Sequence, residues 1–263
     1  MAIEVFNRYE KKYRLTRAEY EEIIELISDH MEADKYSRGR DFYSICNIYY
    51  DTEDDLLIRR SIEKPVYKEK LRLRSYGIKG EDDEVFVEIK KKFKGVVNKR
   101  RTAMTLKEAK DYLDRDITPE GEGINRQVLR EIDYFKNIYR IRPKVFLAYD
   151  RRAYFDREDK DFRITFDTNI RARREEPDLK NGDYGRLITE PEFWLMEVKM
   201  SGAMPLWFTQ ILSRLKIYPV SFSKYGTEYT QYINNLISKG EKTACLSQSL
   251  PQQKQQFQPV QQF

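Results

Sequence analysis

The chain has 263 residues, of which 40% are hydrophobic and 35% are charged, and its 49 Lys and Arg against 44 Asp and Glu give a formal net charge of +5. This length and composition support a sizeable core, which excludes a disordered polar chain, and no apolar run is long enough to span a bilayer. The small net charge is a weak argument for polyanion binding by the whole molecule, so the distribution of the basic residues matters more than their total.

The order of predicted elements indicates one α+β domain over residues 1–239 with a large antiparallel sheet. Thr16 with Glu19, and Thr105 with Glu108, have the spacing of helix-opening capping boxes. In chain order the elements are strand 4–15, helix 16–31, strand 42–50, helix 53–62 with Asp51 or Thr52 as its N-cap, strands 66–76, 84–93 and 96–105, helices 107–113 and 125–139, strands 144–156, 162–170 and 193–200, and helices 205–215 and 226–237. The Gln-rich residues 240–263 are predicted to be a disordered tail.

The scarcity of His and Cys excludes several kinds of catalytic site. Ser-His-Asp and Cys-His systems and histidine zinc sites need imidazole, and the single His30 lies in a stretch typical of an amphipathic surface helix. Cys46 and Cys245 are too few for a disulfide framework. Any chemistry must therefore use carboxylates, Lys, Arg and metal. Because residues 1–8 lack the pattern of a secretory signal, we expect a cytoplasmic protein.

Cations recur on one face of the predicted strands. Residues two apart in a strand share a face, so Lys70, Arg72 and Arg74 lie together, opposite two leucines. Four further strands repeat the scheme with Glu10 and Lys12, Glu88 and Lys90, Arg163, and Glu197 and Lys199. A half-buried antiparallel sheet with its polar face in water would show the same alternation of polar and apolar residues. Repetition in at least five strands instead favours a sheet that curls and closes, so that the cations line an interior and the apolar face lies outward beneath helices. Unpaired buried cations are costly, so such an interior needs water or a bound polyanion.

The same segments resemble a known family. Their order and spacing, more than any single motif, are similar to the VTC-type polyphosphate polymerase domain of the triphosphate tunnel metalloenzyme (CYTH-like) superfamily, over about residues 4–238. The matching segments are 8–13, 70–77, 87–91, 149–151, 163–168, 197–199 and 221–226. The first strand departs from the superfamily signature Glu-x-Glu-x-Lys, because Arg8 stands where the first Glu is expected. The absence of that Glu removes a potential metal ligand and weakens the assignment of the chain as a simple hydrolase.

The resemblance implies a fold and a set of site residues. The expected fold is α+β, with a closed antiparallel β-barrel, or tunnel, of about eight strands and helices packed on its outside. The expected phosphate-binding residues are Lys12, Lys70, Arg72, Arg74, Lys90, Lys99, Arg101, Tyr149, Arg151, Arg163, Lys199 and Lys224. Among them Arg72, Arg74, Lys90, Arg151 and Arg163, together with Glu197, are expected to be catalytic. The metal, Mn²⁺ or Mg²⁺, is expected to bind Glu197, with Glu10 and Glu88 as contributors; the alternative role of these carboxylates is to pair with neighbouring cations.

The implied activity is a metal-dependent polyphosphate polymerase. The terminal phosphate of a polyphosphate chain would attack the γ-phosphate of ATP inside the tunnel and release ADP. Two alternatives stay open: a tunnel-type triphosphatase or nucleoside triphosphate hydrolase, and a non-catalytic module that binds polyphosphate or inositol phosphates. We expect no nucleic acid partner, and the sequence leaves open a separate membrane partner that receives the polymer.

Overall fold

A computed structural model describes residues 9–37, 42–94, 96–121 and 123–240, and in them ten strands form one antiparallel sheet flanked by six helices. The α+β class is as predicted. The strands are β1 (Tyr9–Leu15), β2 (Met31–Ala33), β3 (Tyr43–Asp51), β4 (Tyr67–Tyr76), β5 (Glu84–Phe93), β6 (Val96–Thr105), β7 (Arg142–Asp156), β8 (Arg163–Arg173), β9 (Arg186–Leu187) and β10 (Trp194–Met200). The helices are α1 (Arg17–Ile27), α2 (Leu56–Ile62), α3 (Leu106–Arg115), α4 (Arg126–Ile138), α5 (Leu206–Arg214) and α6 (Lys224–Ser238). The predicted tail from residue 241 onward, and residues 4–8 of the first predicted strand, lie outside the described residues.

Two helices begin at the predicted capping boxes. At α1 the backbone N–H of Glu19 donates to Thr16 Oγ1 and the Thr16 N–H donates to the Glu19 carboxylate. Thr105 and Glu108 make the same reciprocal pair at α3. Each box satisfies backbone donors that the first helical turn leaves without partners, so both helices start where the sequence specifies. No helix in the described ranges combines the length and the hydropathy needed to cross a bilayer.

Helix α2 begins three residues later than predicted, and its N-cap is Asp55, so the prediction of Asp51 or Thr52 as N-cap is wrong, although both side chains accept N–H groups of the first turn. The buried carboxylate of Asp51, the last residue of β3, accepts the backbone N–H groups of Leu57 and Ile58, each at 2.9 Å. Thr52 Oγ1 accepts the N–H of Leu56 at 2.9 Å. The end of β3 therefore fixes the start of α2, which places that helix against the sheet.

The sheet is curled but open, so the expectation of a closed barrel is wrong. Eight strands pair in the order β1-β10-β8-β7-β3-β4-β5-β6, with β2 added to β7 and β9 to β8. Within the described ranges no ladder joins β1 to β6. The outer edge of β1 has another partner, because Val220 N–H donates to Lys12 O at 2.7 Å and Pro219 forms a bridge with Tyr13. A strand edge that already has backbone partners cannot close the barrel.

The convex face of the sheet carries most of the helices. Leu71 and Leu73 of β4 point to this side and are fully buried in a core that α3 and α4 cover. A second core packs α1 and α5 on β1, β8 and β10, and it includes Phe208 and Leu212 of α5. Four of the six helices therefore lie outside the curl, as predicted.

Helix α6 departs from that prediction because it packs on the concave side, and α2 spans both sides, since its Leu57 belongs to the core under α3 and α4. Ile58 of α2 and Tyr225 and Tyr229 of α6 are buried in a third core. Tyr225 stacks on Tyr49 of β3 with 4.6 Å between ring centroids. The concave face is therefore apolar where α2 and α6 cover it, and the charged side chains lie on the uncovered part of that face.

Candidate functional site

The predicted site residues lie together on the concave face. Antiparallel register places them side by side: Lys12 opposite Glu197, Arg72 opposite Glu88, and Lys70 opposite Lys90. The apolar neighbours of these residues in the chain, such as Leu71, Ile89 and Val198, point to the convex cores, as the period of two requires. Lys224 joins the face from the first turn of α6 rather than from a strand. One concave surface thus collects cations from seven strands and one helix.

Glu197 of β10 is the centre of the first ionic cluster. Its carboxylate, only 6% exposed, accepts Lys224 Nζ at 3.0 Å and lies 3.5 Å from both Lys12 Nζ and Arg151 Nη2. Lys199 Nζ is 3.9 Å away. We call these five residues the Glu197 cluster.

Asp167 of β8 is a member of this site that sequence reasoning missed. It is fully buried and accepts two hydrogen bonds from Arg151, from Nε at 2.6 Å and Nη2 at 2.8 Å. Lys224 Nζ lies 2.6 Å from Asp167 Oδ2, the oxygen that also accepts Arg151 Nη2. Asp167 shares its strand face with Arg163, so the alternation that singled out Arg163 contained the signal for Asp167 as well.

The cations around Glu197 keep its carboxylate ionised. Burial alone would raise the pKa of Glu197, but Lys224, Lys12 and Lys199 hold it well below its usual range. Burial and the charge of Glu197 would likewise raise the pKa of Glu10, yet Lys199 and Lys12 hold it below its ordinary value. Glu197 and the neighbouring Glu10 therefore stay charged at neutral pH.

Glu88 of β5 is the centre of a second ionic cluster, the Glu88 cluster, which is formed with Arg72, Arg74 and Lys99. Glu88 is 1% exposed, accepts Arg72 Nε at 2.8 Å, and lies 2.8 Å from Lys99 Nζ and 3.8 Å from Arg74 Nε. Burial would raise the pKa of Glu88, but Arg72, Arg74 and Lys99 hold it well below its usual range. Glu88 therefore orients cations that would otherwise repel one another.

Tyr149 of β7 joins the two clusters. Its hydroxyl accepts a hydrogen bond from Arg74 Nη2 at 3.3 Å, while Lys224 Nζ and the Arg151 guanidinium lie 4.5 Å and 5.1 Å from its ring centroid. Arg74 Nε also donates to Asn47 Oδ1 at 3.0 Å. Tyr149 thus lies beside the cations, as the sequence implied, and makes the two clusters one continuous site.

Lys70 and Lys199 are half-buried among other cations. Burial lowers the pKa of Lys70 to about 8, and Lys68, Lys90 and Lys12 act in the same direction. Burial also lowers the pKa of Lys199 to about 8, although Glu197 and Glu10 oppose the shift. Each ammonium is therefore mostly protonated at neutral pH but loses its charge as the pH rises through about 8, because burial disfavours the charged form.

The remaining predicted residues line the rim of the same face. Lys90 of β5 is opposite Lys99 of β6, and it interacts electrostatically with Glu10 across the curl. Arg101 is opposite Glu88 in the β5–β6 ladder. Arg163 of β8 lies 3.4 Å from the buried Asp34.

The carboxylates fit a divalent metal only in part. No group of three or more Asp, Glu, His or Cys among the described residues could hold a metal ion. Mg²⁺ is commonly bound through one or two carboxylates plus substrate phosphates, a donor set that Glu10 and Glu197 match. Lys12 Nζ lies between them, 3.4 Å from Glu10 and 3.5 Å from Glu197. Glu88 is bound to cations of the other cluster, and the three carboxylates as ligands stay a prediction.

Known proteins resemble this chain in sequence and, more weakly, in structure. Subunit 4 of the vacuolar transporter chaperone complex from Trypanosoma cruzi (strain CL Brener) is 24% identical over 274 aligned residues, which cover 85% of this chain and 34% of that protein. The chain thus spans about a third of the length of this curated relative. A solved Bacillus halodurans protein, proposed to be an adenylate cyclase, has a TM-score of 0.49 and 16% identity over 82% of this chain and 95% of its own. A Pyrococcus horikoshii OT3 protein has a TM-score of 0.35 and 13% identity over 88% and 99%.

The family follows from a match that spans most of the chain. The model of the VTC domain matches residues 7–233, which include both ionic clusters and all six helices except the end of α6. The chain therefore belongs to the VTC domain family.

Proposed function

We propose that this chain is a metal-dependent polyphosphate polymerase that transfers the γ-phosphate of ATP to a growing polyphosphate chain and releases ADP. One observation carries the proposal: Lys and Arg from seven strands and one helix converge on a single concave face, where they outnumber the carboxylates among them. A surplus of fixed cations with few anions is suited to a polyanion.

The reaction requires that the two phosphates be positioned in line and that their negative charge be neutralised. A terminal phosphate oxygen of the polymer attacks the γ-phosphorus, and the bond from that phosphorus to the β–γ bridging oxygen breaks as ADP leaves. The attacking phosphate is already anionic, so no imidazole base is needed. When bound, Mn²⁺ or Mg²⁺ would supply positive charge at the phosphate oxygens, with Glu197 and Glu10 as the residues that hold it.

The arginines are fixed before any substrate arrives. Glu88 orients Arg72, Asp167 orients Arg151, and Asn47 with Tyr149 orients Arg74. Preorganised donors stabilise developing charge without a reorganisation cost at the moment of reaction. Lys12, Lys90, Lys199 and Lys224 act as compact charges that tolerate a chain of identical phosphates. We therefore assign Arg72, Arg74, Arg151 and Arg163 to the transferring phosphate, with Lys90 beside them.

The state of the carboxylates supports transfer over hydrolysis. A hydrolase needs a carboxylate that accepts a proton from water. Glu88 is held by Arg72 and Lys99, and Glu197 by Lys224 and Lys12, so both carboxylates are already occupied by cations. The same cations hold the pKa of each carboxyl well below its usual range, which makes both groups weak bases.

The curated relative is a subunit of a complex and is longer than this chain. We propose that the polymer is passed to a separate membrane partner. Co-purification of the tagged protein with and without ATP turnover tests this: a stoichiometric membrane partner supports it, and a protein that is fully active and without partners contradicts it.

The activity is tested by incubating the protein with ATP and Mn²⁺ or Mg²⁺ and separating ADP, orthophosphate and long polymer. ADP with polymer supports the polymerase. ADP or AMP with orthophosphate or pyrophosphate instead supports a hydrolase, and binding without turnover supports a phosphate-binding module. Arg74→Ala should abolish polymer formation in a folded protein, whereas Arg17→Ala, an exposed arginine on α1, should not. Full activity of Arg74→Ala contradicts the assignment of the site.

A further inference from the structure

The concave face changes its chemistry from one end to the other. Along β4 the residues of this face are Tyr76, Arg74, Arg72, Lys70 and Lys68, in that order. The paired strand β5 repeats the order with Phe86, Glu88, Lys90 and Lys92. An aromatic end, an arginine centre and a lysine end therefore follow one another along the same ladder.

The aromatic end is a cluster of four rings, which we call the aromatic mouth: Tyr36, Tyr43, Tyr76 and Phe86. Tyr36 comes from the segment after β2 and stacks on Tyr76 with 4.8 Å between centroids and an interplanar angle of 10°. Tyr43 lies 5.5 Å from Tyr36, and Phe86 meets Tyr76 edge-on at 6.0 Å. The Arg101 guanidinium lies 4.5 Å from the Phe86 ring.

These rings lie at the edge of the third core. Tyr36 is 40% exposed, with Lys35 Nζ 4.8 Å from its ring centroid, and the other three rings are half-buried, Tyr43 and Tyr76 against that core. Aromatic rings at a partly exposed edge, with cationic side chains beside them, have the chemistry that proteins use to stack nucleobases. The phosphate clusters begin immediately beside it on the same strand.

We infer that the aromatic mouth binds the base of the nucleoside triphosphate, an inference that rests on the proposed function. With about 3.3 Å of rise per residue, Arg74 lies ~7 Å and Arg72 ~13 Å from Tyr76 along the strand. A base stacked at the mouth thus directs its phosphates along Arg74 and Arg72 toward Lys70. The orientation follows from the order of the side chains on β4.

The opposite end suits a chain of phosphates without a base. Lys68 and Lys92 are directly opposite each other in the β4–β5 ladder, next to Lys70 and Lys90. Burial lowers the pKa of Lys68, and Lys92, Lys90 and Lys64 lower it further, so these ammonium groups repel one another. A polyanion leaving here would relieve that repulsion. Nucleotide and polymer therefore occupy opposite ends of the face.

Titration calorimetry with ATP and with inorganic tripolyphosphate tests the inference, because only ATP carries a base. Tyr36→Ala and Phe86→Leu should each weaken ATP binding roughly 5- to 100-fold, while tripolyphosphate binding stays within about twofold. Tyr36→Trp, which keeps a ring, should retain ATP affinity. The matched control is Tyr134→Ala, since Tyr134 is 66% exposed on α4, outside the curl.

The outcomes separate this inference from the proposed function. If the Tyr36 and Phe86 variants, checked for folding by circular dichroism, weaken both ligands equally or neither, the aromatic mouth does not bind the base. Selective loss of ATP affinity upholds the site even if the wild-type protein makes no polymer. Absence of turnover in the wild-type protein with an intact ATP preference contradicts only the polymerase.

Discussion

Replacing Arg151 by Met should be among the most destabilising single changes in the site. Arg151 is 6% exposed and binds the fully buried Asp167 through two hydrogen bonds of 2.6 and 2.8 Å. Removing one partner of a buried ion pair costs about 3–5 kcal/mol, because the other charge is left without compensation. Lys224 remains 2.6 Å from Asp167, so we expect the lower end, about 3 kcal/mol.

For a domain of this size that loss lowers Tm by about 6–12 °C, measured by thermal and urea unfolding followed by circular dichroism. The matched control is Arg17→Met. Arg17 pairs with Glu21 at the surface, where such pairs contribute about 0–1 kcal/mol. Adding Asp167→Asn to Arg151→Met should recover part of the stability, because the uncompensated carboxylate is then gone. If Arg151→Met is no less stable than Arg17→Met, or the double variant is no better than Arg151→Met alone, the reasoning is refuted.

Three further outcomes are expected. Glu197→Gln should lower polymer formation at least about 100-fold, because a carboxylate assigned to the metal is lost. The same variant should bind tripolyphosphate at least as tightly as the wild-type protein, since one negative charge has left the site. Weaker tripolyphosphate binding in calorimetry would contradict this. Lys70 and Lys199, with pKa values of about 8, are protonated below that pH and lose charge above it. Affinity for tripolyphosphate should therefore fall as pH rises from about 7 to about 9, by up to about tenfold per lysine and pH unit, and Lys199→Met should flatten the profile; an unchanged profile contradicts the assignment. Thr105→Ala should cost about 1 kcal/mol in urea unfolding through the lost cap of α3, and a cost of zero would show that the box with Glu108 does not matter there.

Sequence alone predicts the local features of this fold because they depend on neighbours in the chain. The alternation of Arg72 and Arg74 with Leu71 and Leu73 is a property of any strand, and it assigned the faces of β4 correctly. A capping box needs only residues three apart, and the one at Thr16 formed as predicted. Where the determinant lies within a few residues, pattern is sufficient.

Features that depend on distant residues were missed or wrong. Strand β9 has two residues and exists only by pairing with β8, so it leaves no periodic signal. The prediction of a closed barrel was wrong because residues 219–220 occupy the edge of β1, about two hundred positions away in the chain. The pairing of Asp167 with Arg151 also depends on register between two strands, which the alternation within one strand does not fix. Sequence thus indicated which side chains share a face, but not which of them bind one another.

The ion pairs on the concave face lower the free-energy cost of burying its cations when no ligand is bound. Unpaired buried cations would each cost several kcal/mol, and here Glu88, Asp167 and Glu197 carry the compensating charge. Burial lowers the pKa of Lys70 and of Lys199 to about 8, so both ammonium groups lose their protons more readily than an exposed lysine. A polyanion that enters the face supplies further negative charge and, near pH 8, draws protons back onto both lysines. Binding therefore takes up protons, and the phosphates replace part of the ion pairing within the protein. This exchange needs access from water, which the open sheet gives along its rim at the exposed Lys90 and a sealed core would not.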